Sequence, residues 1–134
     1  MDNETNAHGQ VCANGISRGD IFWVEPDGSQ GSIPGVPHPQ LVVQDDVFNR
    51  SRITTVVVCA LTSNLNRASE PGNVLLEPGE GNLRKQSVVI SSQISSIDKS
   101  RLGAKIGALR GARVDEVIAA LRFLQVSYFR EGPS

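Results

Sequence analysis

The chain is poor in cysteine, in histidine and in long apolar runs, and each shortage closes off a class of function. Only two cysteines occur in 134 residues, Cys12 in a polar stretch and Cys59 inside an apolar one. Two are too few for a disulfide framework, and Cys59 reads as a small hydrophobe of the core. His8 and Cys12 stand four apart, but no second pair completes a tetrahedral zinc site, so neither a metal nor any other cofactor is expected. No apolar run is long enough to cross a bilayer. Residues 1–15 are polar and acidic, without the apolar centre of a signal peptide. A cytoplasmic protein without a membrane partner is therefore expected. Gly28, Gly31 and Gly35 make no phosphate-binding loop, because neither a Gly-Lys-Ser/Thr end nor a helix follows. In such a protein Arg18-Gly19-Asp20 and the acceptor triplets Asn3-Glu4-Thr5 and Asn49-Arg50-Ser51 are coincidences.

Net charge is equally uninformative at −1, yet its distribution is uneven. Residues 47–113 hold ten Lys/Arg and four Asp/Glu, or +6, and the rest of the chain carries −7. A basic middle inside a neutral total suits a polyanionic ligand, and it equally suits ordinary solvated faces.

Pattern and punctuation predict one domain over residues 18–130, preceded by a flexible leader at 1–17. A first strand is expected at 19–25 (GDIFWVE), with Ile21 and Trp23 facing one way. Residues 26–39 are crowded with Gly and Pro and read as a long loop. Two β-branched segments follow, 41–44 and 53–61, and both read as buried strands, with a single helical turn at VFNRS between them. Shorter strands are expected at 73–77, 87–94 and 105–109, with an extension or turn at 96–99. Val114, Val117, Ile118, Leu121, Leu124 and Tyr128 fall on one face of a C-terminal helix, with Asp115 and Glu116 in its first turn. The fold class is mainly β (α+β), a small antiparallel barrel covered by a terminal helix.

The two central strands carry a histidine and a threonine to the same edge. His38 is held stiffly between Pro37 and Pro39, and an imidazole gives or takes a proton near neutral pH. Thr62 offers a hydroxyl to a phosphate oxygen. A loop histidine is often merely exposed, and Thr-Ser after a strand is a common turn, so spacing leaves both readings open.

A set of ordered motifs adds to this. Arg18-Gly19-Asp20-Ile21, PQLVVQDD from Pro39, Phe48-Asn49-Arg50, Thr62-Ser63, Ser87-Val88-Val89, Gln93-Ile94 and Ile97-Asp98-Lys99-Ser100-Arg101-Leu102 resemble the MazF/PemK (Kid) toxins of bacterial toxin–antitoxin pairs. The resemblance covers roughly residues 18–124. It implies a small SH3-like barrel and a homodimer that cuts single-stranded RNA at short sequences without a metal. It also implies a cognate antitoxin with an acidic segment that covers the groove. Cleavage in that family proceeds through a 2′,3′-cyclic phosphate.

Carried over residue by residue, the family's active threonine maps onto Thr62. The family loop Gly-Ser-Glu-Gln-Gly-Gly-x-Arg-Pro reads Gly31-Ser32-Ile33-Pro34-Gly35-Val36-Pro37-His38-Pro39 here, so His38 stands where the catalytic arginine belongs. Imidazole lacks the guanidinium fork and its permanent charge, but it is the better proton carrier at neutral pH. His38 and Thr62 are thus the expected catalytic pair. Ser32, Pro39, Ser63, Arg50, Arg84, Lys85 and Gln93 are the expected RNA contacts, and Arg50, Arg84 or Lys85 would supply the missing charge. Trp23 and Phe22 are candidates for base stacking, although strand aromatics are more often core. The alternatives are a weakened dimer that binds RNA or antitoxin without cutting, and a poison of DNA gyrase like the related CcdB toxins.

Overall fold

A computed structural model of the chain describes residues 15–26 and 36–129, with side chains to residue 125. Six antiparallel strands form one sheet: β1 (Asp20–Val24), β2 (His38–Val42), β3 (Thr55–Thr62), β4 (Val74–Leu76), β5 (Ser87–Asp98) and β6 (Leu102–Ala108), in the order β4-β5-β3-β2-β1-β6. A four-residue helix α1 (Asp46–Asn49) links β2 to β3, and helix α2 (Gly111–Phe129) follows β6.

Both faces of the central strands are apolar, and both are buried. Ile21, Leu41, Cys59, Leu61 and Val89 pack on one side with Val117 and Leu121 of α2. Phe22, Val24, Val42, Val56, Val58, Ile97 and Leu102 fill the other. Alternation along each strand assigns residues to the two cores, since successive side chains point to opposite faces. Ile16, expected at the end of the flexible leader, belongs to the second core with 1% of its surface exposed.

The barrel expected from the strand count is not closed by a ladder. The edge strands β4 and β6 do not pair; the connection between β4 and β5 lies across the seam instead. Within it a short 3₁₀ turn (Glu80–Asn82) packs on β6, and Asn82 Nδ2 donates to the Ile106 carbonyl at 2.8 Å. Gly107 permits this contact. A Cβ there would collide with the Gly81 carbonyl oxygen and come within 2.7 Å of the Asn82 Cβ.

Other boundaries shift for identifiable reasons. β2 begins at His38 rather than at residue 41, because Trp23 and Val24 of β1 pair with Pro39 and His38. Ile53 is exposed and precedes β3. β5 runs through to Asp98, its polar Ser95 and Ser96 paired with Val58 and Val57. The same strand bulges by three residues, since Cys59 pairs with Ile94 but Leu61 with Val89. The single turn expected at VFNRS is α1, capped by Asp45, whose carboxylate accepts the Val47 N–H at 2.8 Å. Helix α2 starts at Gly111, which moves Asp115 and Glu116 out of its first turn. Val117 and Leu121 are buried as expected, Val114 and Ile118 are half-buried, and Leu124 is exposed. No helix among the described residues is long and apolar enough to cross a membrane.

Candidate active site at the strand ends

The start of β2 and the end of β3 meet at one edge of the sheet. These strands pair Gln40 with Ala60, Leu41 with Cys59 and Val42 with Val58. The same register continued toward the edge sets Pro39 against Leu61 and His38 against Thr62. Alternation then turns His38 and Thr62 to one face, and Pro39 and Leu61 to the other. Histidine and threonine become cross-strand neighbours, although they lie far apart in the sequence.

Around this edge lies a cleft of about 710 Å³. His38, Thr62 and Ser63 contribute at the strand ends, Trp23, Pro39, Leu61, Leu83 and Ile106 supply apolar surface, and Arg84, Lys85 and Lys105 bring positive charge. The Thr62 Oγ1 accepts the Asn64 N–H at 3.1 Å, which orients the hydroxyl and leaves its hydrogen to donate outward. The Ser87 hydroxyl donates to the Lys85 carbonyl at 2.9 Å and holds that backbone in place. Arg84 and Lys85 are exposed, and among the described residues neither is paired with a carboxylate. By contrast Arg113 is gripped by Glu80 and Glu116, and Arg67 by Glu70. Lys105 reaches Asp20 at 3.3 Å from the strand next to Trp23.

The structure thus brings His38, Pro39, Thr62, Ser63, Arg84 and Lys85 of the expected site residues to one cleft. Two others do not line it. Arg50 caps α1 and faces Asp46 at 3.9 Å; it lies before the start of β3, whereas Thr62 closes that strand. Gln93 is exposed within the β5 bulge. Ser32, like His8, Cys12 and the three loop glycines, lies outside the described residues. Among the described residues no three His, Cys, Asp or Glu side chains come together as a metal site would require.

Lys105 and Asn82 line the cleft although no sequence motif marks them as ligands, and Ser87 lines it from within the motif Ser87-Val88-Val89, where it was not singled out as a ligand. Lys105 was visible only as one cation of the basic middle. Cys59 is no candidate nucleophile. Burial pushes its thiol up to about 12, and the Sγ donates to the Ile90 carbonyl at 3.0 Å.

Residues 17–124 match the family model described as the PemK-like, MazF-like toxin of type II toxin–antitoxin systems. The chain belongs to the PemK/MazF toxin family. Within that family it is 36% identical over 107 residues to Endoribonuclease MazF2 of Mycobacterium bovis, covering 80% of this chain and 94% of the relative. The same figures hold for Endoribonuclease MazF6 of Mycobacterium tuberculosis. Solved PemK/MazF structures share the fold. A mycobacterial endoribonuclease in complex with its cognate antitoxin superposes with a TM-score of 0.65 at 23% identity, covering 88% of this chain and 99% of the other. The Mycobacterium tuberculosis toxin MazF-mt6 gives 0.64 at 19% identity, covering 84% and 99%. At those identities the likeness speaks for the fold alone.

Proposed function

We propose that this chain is the endoribonuclease toxin of a toxin–antitoxin pair, a cytoplasmic homodimer that cuts single-stranded RNA at short sequences and is restrained by a cognate antitoxin. The meeting of His38 and Thr62 in one cleft, beside Arg84 and Lys85, which among the described residues have no carboxylate partner, carries this reading. The ribose 2′-oxygen attacks the adjacent phosphorus as its proton passes to a base. The bond from phosphorus to the 5′-oxygen breaks, and that oxygen takes a proton from an acid. The products are a 2′,3′-cyclic phosphate and a free 5′-hydroxyl, and the reaction consumes no metal or cofactor. Imidazole at His38 serves one of the two proton transfers, a role worth about 10²- to 10⁴-fold in rate. The Thr62 hydroxyl donates to a phosphate oxygen, and Arg84, Lys85 and Lys105 balance the charge of the phosphorane. Ser63 and Pro39 flank the same strand ends and contact the RNA backbone there.

The test is incubation of the purified protein with a long single-stranded RNA in EDTA across a pH series, with fragment ends mapped. Discrete cuts ending in 5′-hydroxyl and 2′,3′-cyclic phosphate are expected, together with their loss in Thr62→Ala. His38→Ala is expected to cut more slowly, by the factor of about 10² to 10⁴ that one proton transfer contributes. RNA bound but intact at every pH would favour a second reading, a binding-only dimer. The observation behind that reading is histidine in the place of the family's arginine, and restored cutting in His38→Arg would establish it.

A further inference from the structure

Of the residues lining the cleft, Trp23 has no part in the proton and phosphate chemistry, and its position is unusual. Its neighbours Ile21, Phe22 and Val24 are buried to 1% exposure or less, whereas the indole is 44% exposed. Leaving so large an apolar side chain in water forgoes burial that its three neighbours obtain. Alternation places Trp23 on the face of Ile21 and Leu41, one step beyond the point where the first core ends. Pro39 stands directly opposite it on β2, and the β2–β3 register continues that row to Leu61. On its other flank β6 presents Gly103, where even a Cβ would come 3.0 Å from the Trp23 carbonyl oxygen. No side chain at that position covers the ring. The result is an apolar ledge of Trp23 and Pro39 that continues into Leu61, with Arg84, Lys85 and Lys105 in the same cleft.

We propose that Trp23 is a nucleobase platform, stacking one unpaired base of the RNA while the neighbouring phosphate is held at Thr62. The inference rests on the reading of the cleft as an RNA site and adds to it the part that receives a base. Three features of the cleft agree with it. Trp23 and Thr62 both line the cleft, and the Trp23 row ends at Leu61, the residue directly before Thr62, so a strand held at the threonine passes the indole at the same end of the sheet. Every base has a π face, so an indole accepts all four and contributes affinity more than choice of sequence. The cations lie beside the ledge, where they meet the backbone of a strand whose base lies on the ring.

Trp23 is the single tryptophan of the chain, so its emission reports this side chain alone. The probes are short 2′-O-methyl oligoadenylate and oligouridylate, which lack the nucleophile and are not cut, and an abasic ribose-phosphate oligomer of equal length. Each carries a terminal fluorophore, so that anisotropy measures binding independently of tryptophan. The expected result is quenching of Trp23 emission in step with binding of the base-bearing oligomers and little change with the abasic one. Trp23→Ala is expected to weaken binding of the base-bearing oligomers by about 5- to 150-fold. The same variant should bind the abasic oligomer as the native protein does, and Trp23→Phe should retain most of the affinity. Binding by anisotropy with unchanged emission would overturn the inference even if Trp23→Ala failed to fold. Equal affinity of Trp23→Ala and native protein for the base-bearing oligomers would do the same. Absence of binding by every oligomer would instead remove the RNA reading of the cleft, and this inference with it.

Discussion

Arg113 of α2 grips Glu80 of the β4–β5 connection through two parallel hydrogen bonds, Nε to Oε1 at 2.9 Å and Nη2 to Oε2 at 2.8 Å. Its remaining nitrogen Nη1 donates to Glu116 at 2.9 Å, while Glu80 also accepts the Glu77 N–H at 2.8 Å. The two side chains are only 24% and 17% exposed, so the pair is shielded from much of the solvent screening that weakens surface ion pairs. The clamp fixes the segment that leads directly into Arg84 and Lys85.

Arg113→Ala is therefore expected to cost about 1–3 kcal/mol of stability, read from urea unfolding midpoints. The variant should also weaken RNA binding, because the cations lose their fixed place at the cleft. Arg113→Lys keeps the charge but not the fork, and should recover only part of either loss. RNA affinity unchanged in Arg113→Ala would separate the clamp from the cleft.

Glu80 gives the fold an acid-sensitive component. The Arg113 hydrogen bonds hold its carboxyl below the ordinary glutamate value of 4.5. A carboxyl depressed in the folded state contributes stability that is complete above the unfolded value and lost as pH falls through the folded one. The stability difference between native protein and Glu80→Gln should be constant above about pH 4.5 and shrink below it. Unfolding midpoints measured across the acid range test this, and a difference that grew in acid would contradict the sign.

Gly107 and Gly111 make a matched pair of substitutions. Alanine at Gly107 strikes the Gly81 carbonyl and presses the Asn82 side chain off β6, at an expected cost of about 1–3 kcal/mol. Alanine at Gly111 meets nothing within 4 Å at the start of a helix, and should be neutral or stabilising by up to about 1 kcal/mol. Melting temperatures of the two variants decide it.

Asn49 is fully buried and saturated. Its Nδ2 donates to the Gln44 carbonyl at 2.9 Å and to Asp46 Oδ1 at 3.0 Å, and its Oδ1 accepts from Gln44 Nε2 at 3.0 Å. Asn49→Leu leaves these partners without their bonds and should cost about 1–3 kcal/mol. Asn49→Asp sets a second carboxylate against Asp46 and should be the worse of the two at neutral pH, a ranking that urea denaturation reads directly.

The amino-acid pattern made much of this molecule legible. The β-branched run ending at Thr62 and the proline-bounded His38 were enough to predict that the two residues share an edge. Burial of both strand faces hid the period-two signal that would have set register and strand limits, so β2 was expected to begin three residues late. The β5 bulge leaves no mark in composition, because it depends on which residues of β3 it faces. Arg50 and Asn49 show the limit of a motif. Their neighbourhood matches the family pattern, yet Asn49 ties the β2–β3 connection together and Arg50 pairs locally, away from the cleft. Trp23 reads in the sequence as a strand aromatic, and its exposure, its cross-strand partner Pro39 and the glycine beside it mark it as more than core.

A sheet packed on both faces leaves its strand ends as the ground on which new recognition can be tried at little cost to the fold. Insulated in this way, the two cores draw nothing from the side chains of His38, Thr62 and Ser63, which belong to neither of them. Substitution at those ends therefore tests the chemistry of the cleft with the scaffold left standing.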